Sequence, residues 1–143
     1  MRRKQKPKRP LYVYIAGPYS KGDVGGNVRT AIHAADFLMK QEDLNIVPYV
    51  PHLTHLWHMV SPKEYAAWMA YDRRWIVKCD VLIRLEGESG GADDETEFAR
   101  MHGILVMDMR DPVADDYHRL WKRNDVSSLF YLMAAVYSRK DTK

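Results

Sequence analysis

The chain has one cysteine, Cys79, so no internal disulfide can form, and a reducing cytosol is the expected compartment. It has no apolar run approaching the roughly 20 residues needed to cross a bilayer. The basic start, Met1 to Arg9, is not followed by a long apolar core and a small-residue cleavage site, so no secretory leader is expected. No internal repeat or long low-complexity stretch is present, which sets aside repeat architectures. There is also no P-loop, no GxGxxG and no G-x-S-x-G elbow, so standard nucleoside-triphosphate, dinucleotide and serine-hydrolase sites have no sequence support. What remains is an ordinary globular composition, 46% apolar and 29% charged over 143 residues, which fits one domain with one core.

Positive charge is scarce where it would be expected. The net charge is +3, but the nine residues MRRKQKPKR hold six cations and no acid, and the rest of the chain is left at −3. Residues 1–10 read as a basic disordered tail and residues 11–143 as a single domain. No aromatic residue interleaves the cations, so a solvated leader is the simpler reading, with at most weak nucleic-acid binding through the tail.

Strands and helices alternate. Leu11 to Ala16 is a run of β-formers closed by Gly17-Pro18 and reads as a buried first strand. Asn27 is a candidate cap for a helix whose apolar stripe is Val28, Ala31, Ile32, Ala35, Leu38 and Met39. Leu44 to Val47 reads as a second strand stopped by Pro48. Ser61-Pro62-Lys63-Glu64 has the form of a capping box for a helix to about Lys78. Val81 to Leu85 is a third strand, Asp93 to His102 a helix ended by Gly103, and Ile104 to Met107 a fourth strand. Ala114 to Arg139 is mostly helical. This alternation predicts an α/β, flavodoxin-like (Rossmann-like) three-layer sandwich with a four- or five-stranded parallel sheet.

In such a sheet, ligands bind beyond the strand ends where strand order reverses, between strands one and three. The loops leaving those strands, GPYSKGDVGGN and EGESGGADD, are the two glycine-rich segments of the chain. Two carboxylates lie close to them in sequence. Asp72 falls on the inward stripe of its helix with Tyr65, Trp68, Met69 and Ile76, where a charge is costly unless paired or functional. Its plainer reading is an ion pair with Arg73, Arg74 or another basic group. Glu95 falls in the first turn of the helix after Gly90-Gly91, where the dipole and free N–H groups favour the ionised form, a candidate nucleophile toward an anomeric carbon. Its plainer reading is one more first-turn acid beside Asp93, Asp94 and Glu97.

Together these residues resemble the nucleoside 2-deoxyribosyltransferase superfamily, closest in pattern to the 2′-deoxynucleoside 5′-monophosphate N-hydrolases. The resemblance covers roughly Tyr12 to Met107. It rests on Tyr14-Ile15-Ala16-Gly17 at the end of strand one, on Asp72 followed by Asp80, and on Ser89-Gly90-Gly91-Ala92-Asp93-Asp94-Glu95 followed by Ala99. It implies a covalent glycosyl-enzyme mechanism with Glu95 as nucleophile. Asp72 would contact the base and protonate the leaving group, and Tyr14 would orient nucleophile and sugar. No cofactor and no metal are implied. Ser89-x-Gly91-x-x-x-Glu95 is similar to the monophosphate hydrolases, whereas transferases on free nucleosides tend to carry aspartate in place of the serine. A hydroxyl and adjacent N–H groups suit a phosphate, with Ser20 and Lys21 completing that pocket beside Gly17. Strand one continues Gly17-Pro18-Tyr19, a departure from the hydrolases' Gly-Ser-Ile-Arg. The resemblance also implies a homodimer or larger homo-oligomer, and the apolar Val126 to Tyr137 would cover either the sheet or a second subunit.

His52, His55 and His58 form H-x2-H-x2-H, a spacing that does not bring all three to one side of a helix, so no metal is expected. His52 and Trp68 are instead expected at the substrate, with Trp57 and His58 available for stacking and Tyr49 either core or base wall. Arg84, inside strand three, is expected to pair with a carboxylate such as Asp80 or Glu86, or to face the ligand if it lies at the strand's end. The expected activity is N-glycosidic cleavage of a (deoxy)nucleoside 5′-monophosphate. Alternatives are transfer between free nucleosides, a nucleotide-binding module without catalysis, or an accessory protein that uses the basic arm.

Overall fold

The computed structural model describes residues 9–110. Most of the basic tail and the helical reading of Ala114 to Arg139, with the apolar Val126 to Tyr137, lie outside the described residues. Four strands, β1 (Leu11–Ala16), β2 (Ile46–Tyr49), β3 (Val81–Arg84) and β4 (Leu105–Asp108), alternate with helices α1 (Val24–Met39), α2 (His55–Val60), α3 (Tyr65–Ile76) and α4 (Gly90–Met101). The strands pair in parallel in the order β2-β1-β3-β4, with Leu11 beside Ile46, Val13 beside Val81 and Val81 beside Leu105. This is the flavodoxin-like order, as the alternation predicted.

The two-residue period of β1 divides the core. Leu11, Val13 and Ile15 pack with Val81, Ile83 and Met107 against Ala31, Ala34 and Leu38 of α1. Tyr14 and Ala16 face the other way, with Leu82, against Ile76 of α3 and Ala92 and Ala99 of α4. Each fully buried aliphatic side chain in these layers contributes about 1.5–3 kcal/mol. No described helix is long and apolar enough to cross a membrane.

Several local expectations are corrected. Helix α1 begins at Val24 behind Asp23, and Asn27 does not cap it. The Asn27 amide instead donates to the carbonyls of Tyr19 and Lys21 at 2.9 and 2.8 Å, tying the β1–α1 loop to the first turn. β2 runs through Pro48, which pairs only with Val13 on the inner side; at the rim of the described sheet its missing N–H costs nothing. Ser61 ends α2, a helix where a loop is expected from the sequence, and α3 starts at Tyr65 after Glu64, with no side-chain cap. α4 starts at Gly90 rather than Asp93, because the Ser89 hydroxyl accepts the Ala92 N–H at 3.1 Å and caps the helix three residues early.

Candidate active site

Sheet order reverses between β1 and β3, so their following loops separate there and leave a cleft. The cavity at this point measures about 540 Å³, within the range of small-molecule sites. Gly17, Ser20 and Lys21 line it from the β1–α1 loop, and Ser89, Gly91 and Glu95 from α4. His52 lines it from the turn after β2, and Trp68 and Asp72 from α3. Tyr14 lies beneath, fully buried, and its hydroxyl donates a hydrogen bond to Glu95 Oε2. The cavity therefore gathers the whole set of expected site residues, with Tyr14 behind Glu95.

Because α4 begins early, Glu95 is in its second turn, not its first, and the expected help from free N–H groups is absent. Glu95 is 6% exposed. Burial pushes its carboxyl from 4.5 up to about 8, against the Tyr14 hydrogen bond, which favours the ionised form. Asp72 follows the same rule: burial raises it from 3.8 to about 7, opposed by the Tyr14 hydroxyl. Its Oδ1 is sealed from solvent and has no hydrogen-bond partner among the described residues. The plainer reading of Asp72, an ion pair with Arg73 or Arg74, is thus not realised. The tyrosine is itself held well above its ordinary value, by burial first and then by the charges of Glu95 and Asp72. With both values raised by burial, one carboxyl can hold a proton while the other is ionised near neutral pH, offering one acid and one base. The Tyr14 hydroxyl favours the ionised form of both carboxyls, and the more deeply buried Glu95 keeps the higher value.

The β3–α4 loop that carries this helix is held by Arg84. Its guanidinium is completely buried and donates to the Leu85 carbonyl, to the Gly87 carbonyl at 2.9 Å and to Asp93 Oδ1 at 3.0 Å. Its partner is Asp93 of α4, not Asp80 or Glu86, because the β3 period turns position 84 toward the α4 face. Arg84 and Arg110 beside Asp93 hold that carboxyl below the usual range. Gly87 has φ +105°, and a Cβ there would meet Pro18 Cγ at 2.7 Å, so only glycine lets the two loops pass each other. Asp80, by contrast, is structural: it accepts the Tyr12 N–H at 2.9 Å at the opposite end of the strand.

Gly90 and Gly91, the first two residues of α4, line the cavity, and their N–H groups have no acceptor within the helix, which makes them available to an anion. Lys21 sits at its rim in an exposed ion pair with Glu88 at 2.6 Å, a contact of little energetic weight that an anionic ligand can displace. His52, Tyr19 and His58 shape the other wall, with His55 behind Tyr19. His52 Nε2–H donates to the Pro18 carbonyl at 2.9 Å, and burial lowers its pKa. His55 Nδ1 is hydrogen-bonded to the Tyr19 hydroxyl. His58 Nδ1 accepts the Trp68 indole N–H at 2.8 Å. The three histidines thus each take a separate partner. Tyr49 is core: its ring stacks on Trp75 at 5.1 Å and packs on Tyr14 at 5.6 Å. Trp57 packs edge-on against Trp68 at 5.2 Å and lies outside this cavity. Lys63, Tyr65, Met69 and Thr54 also line it and were not expected there. Tyr65 and Met69 did share the Asp72 stripe, but an apolar stripe reads as core unless something shows that it faces a void.

The chain is thus a parallel α/β domain with a paired-carboxyl cleft at its switch point. It belongs to a family described as a domain of unknown function (DUF7768), whose model matches residues 11–109. No curated protein matches it.

Proposed function

We propose that this protein hydrolyses the N-glycosidic bond of a (deoxy)nucleoside 5′-monophosphate through a covalent glycosyl ester on Glu95. The observation that carries the reading is the Tyr14–Glu95 hydrogen bond at the base of a cavity that also receives Asp72. A buried carboxyl held by a phenol, beside a second carboxyl able to hold a proton, is the equipment for displacement at an anomeric carbon. The sequence resemblance to the nucleoside 2-deoxyribosyltransferase superfamily assigns the same residues.

In this reading the 5′-phosphate rests on the Gly90 and Gly91 N–H groups, with Ser20, Lys21 and Ser89 around it. The sugar lies over Gly17 and Glu95, and the base against Trp68. Glu95 attacks C1′ as the C1′–N bond breaks. The bond's electron pair leaves with the base, which takes the Asp72 proton. Asp72, now a carboxylate, removes a proton from water as that water attacks C1′. The ester bond breaks back to the Glu95 carboxylate, the sugar phosphate leaves, and Asp72 ends protonated. The cycle needs no cofactor. A second base in place of water would make the same site a transferase. The resemblance also suggests assembly into a homodimer or larger oligomer.

One observation favours a second reading, a nucleotide-binding module without turnover: burial holds much of Glu95 protonated near neutral pH, and a protonated carboxyl is no nucleophile. Incubation with deoxynucleoside monophosphates and free nucleosides, with and without an acceptor base, separates the readings. The proposal expects free base from monophosphates with the wild type and none with Glu95→Ala. New nucleoside in the presence of acceptor base indicates transfer. Equal binding by both proteins without any product indicates the module.

A further inference from the structure

We infer that His58 reads the base: it donates a hydrogen bond into the cavity and selects heterocycles that carry two neighbouring acceptors, an oxo group beside an unprotonated ring nitrogen. The inference rests on the N-glycosidase reading for the placement of the base.

The argument starts from tautomerism. His58 Nδ1 accepts two hydrogen bonds, from Trp68 Nε1 at 2.8 Å and from the Lys63 backbone N–H at 3.2 Å. An indole nitrogen and a backbone amide can only donate, so Nδ1 must present its lone pair. The neutral ring then carries its hydrogen on Nε2. That nitrogen makes no hydrogen bond among the described residues and is not sealed from solvent, while His58 itself lines the cavity. The ring is also held in place, because Trp68 is clamped edge-on between Trp57 at 5.2 Å and Tyr71 at 5.8 Å. The ammonium of Lys63, which also lines the cavity, lies over the Trp57 ring at 5.6 Å and 3.5 Å from the Ser61 hydroxyl.

Trp68 and Asp72 are four residues apart on α3, hence neighbours on one face, and both line the cavity. Asp72 delivers its O–H to the departing base in the proposed mechanism. The base therefore meets two donors, Asp72 O–H and His58 Nε2–H. Guanine and hypoxanthine present O6 beside N7, and cytosine presents O2 beside N3, two acceptors in each case. Adenine sets an amino group beside N7, and uracil and thymine set N3–H beside O2, so a donor would face a donor. Where the bound base shields these donors from water, leaving them unpaired discriminates by about tenfold or more.

The test compares dIMP with dAMP and dCMP with dUMP. Dissociation constants are measured on Glu95→Gln, which binds without turnover, and base release on the wild type. The expected result is about tenfold or greater preference for dIMP and dCMP. His58→Asn keeps an oxygen where Nδ1 takes the Trp68 N–H but has no donor at the Nε2 position, and it should bring both ratios within about twofold. His58→Gln places an amide N–H near the Nε2 position and should keep most of the preference. Imidazole ¹⁵N spectra should show His58 protonated on Nε2 alone. Equal or inverted preference, a preference that survives His58→Asn, or a hydrogen on Nδ1 overturns the inference. Selective binding without base release leaves this inference standing and sinks the glycosidase reading. Base release without selectivity does the reverse, and no binding at all sinks both.

Discussion

The Tyr14 hydroxyl, in the middle of the first strand, donates a hydrogen bond to Glu95 in the second turn of α4, 81 residues later. Both groups are buried, so the bond acts in a low-dielectric setting and favours the charged carboxylate. Tyr14→Phe removes it while preserving the ring that packs on Tyr49. The expected result is a fall in base-release rate of about 10- to 100-fold, matching a charged hydrogen bond of about 1.5–3 kcal/mol, with the alkaline shift of the Glu95 titration visible in the pH–rate profile. An unchanged rate would mean that Tyr14 serves packing alone.

The pH dependence of stability follows from the raised carboxyls. Glu95 titrates near 4.5 when unfolded and about 8 when folded, and Asp72 near 3.8 and about 7. Below pH 4 both states bind the proton and no penalty arises. As pH rises toward 8 the unfolded chain releases these protons first, so the folded state loses stability across that window. Glu95→Gln should therefore stabilise the protein by about 2–4 kcal/mol at pH 8.5 and by little at pH 4.5, measured by urea unfolding. Equal effects at the two pH values would contradict the raised value.

Catalysis in the same account needs the singly protonated pair. The kcat/KM profile should be bell-shaped, with its maximum between about 7 and 8, the two values that burial imposes. Asp72→Asn should abolish one limb. A profile flat from pH 5 to 9 would show that neither carboxyl takes part.

Ser89 caps α4, and aspartate is an equally good cap. Ser89→Asp should thus leave the melting temperature within about 2 °C while placing a negative charge beside the Gly90 and Gly91 N–H groups. Use of a monophosphate should fall about tenfold or more relative to the matching free nucleoside. Equal losses for both would remove the phosphate from the account.

Gly91 lies against the opposite wall: a Cβ there would stand 2.9 Å from the Tyr65 hydroxyl. Tyr65 is 64% exposed, so its ring can swing aside at little cost to the fold. Gly91→Ala should raise KM several-fold with folding stability nearly unchanged. A large loss of stability would show the contact to be structural.

Much of this was legible in the sequence because period and spacing carry it. The β1 alternation and the α1 stripe set the layers, and the placement of the two glycine-rich loops set the cleft. Element starts were less legible. Asn27 and Ser61 look like caps, but a side chain caps only where the chain turns, and the Asn27 amide found loop carbonyls instead. Ser89 gave no hint that it would begin α4 early, which moved Glu95 from a site favouring its charge to one opposing it. Arg84 was visible as an oddity in a strand, but its partner depended on which face β3 turned toward α4. The tautomer of His58 depends on Trp68, ten residues away on a different helix, and no local pattern reports such a contact.

The central claim, a glycosyl ester on Glu95, is most directly tested by intact-protein mass spectrometry after mixing with a 2′-fluorinated deoxynucleoside monophosphate, whose fluorine slows breakdown of the ester. The account predicts release of one base per chain and a mass gain equal to the sugar phosphate, mapped to the peptide containing Glu95 and absent from Glu95→Ala. An adduct on another residue, or base released equally by Glu95→Ala, would contradict it.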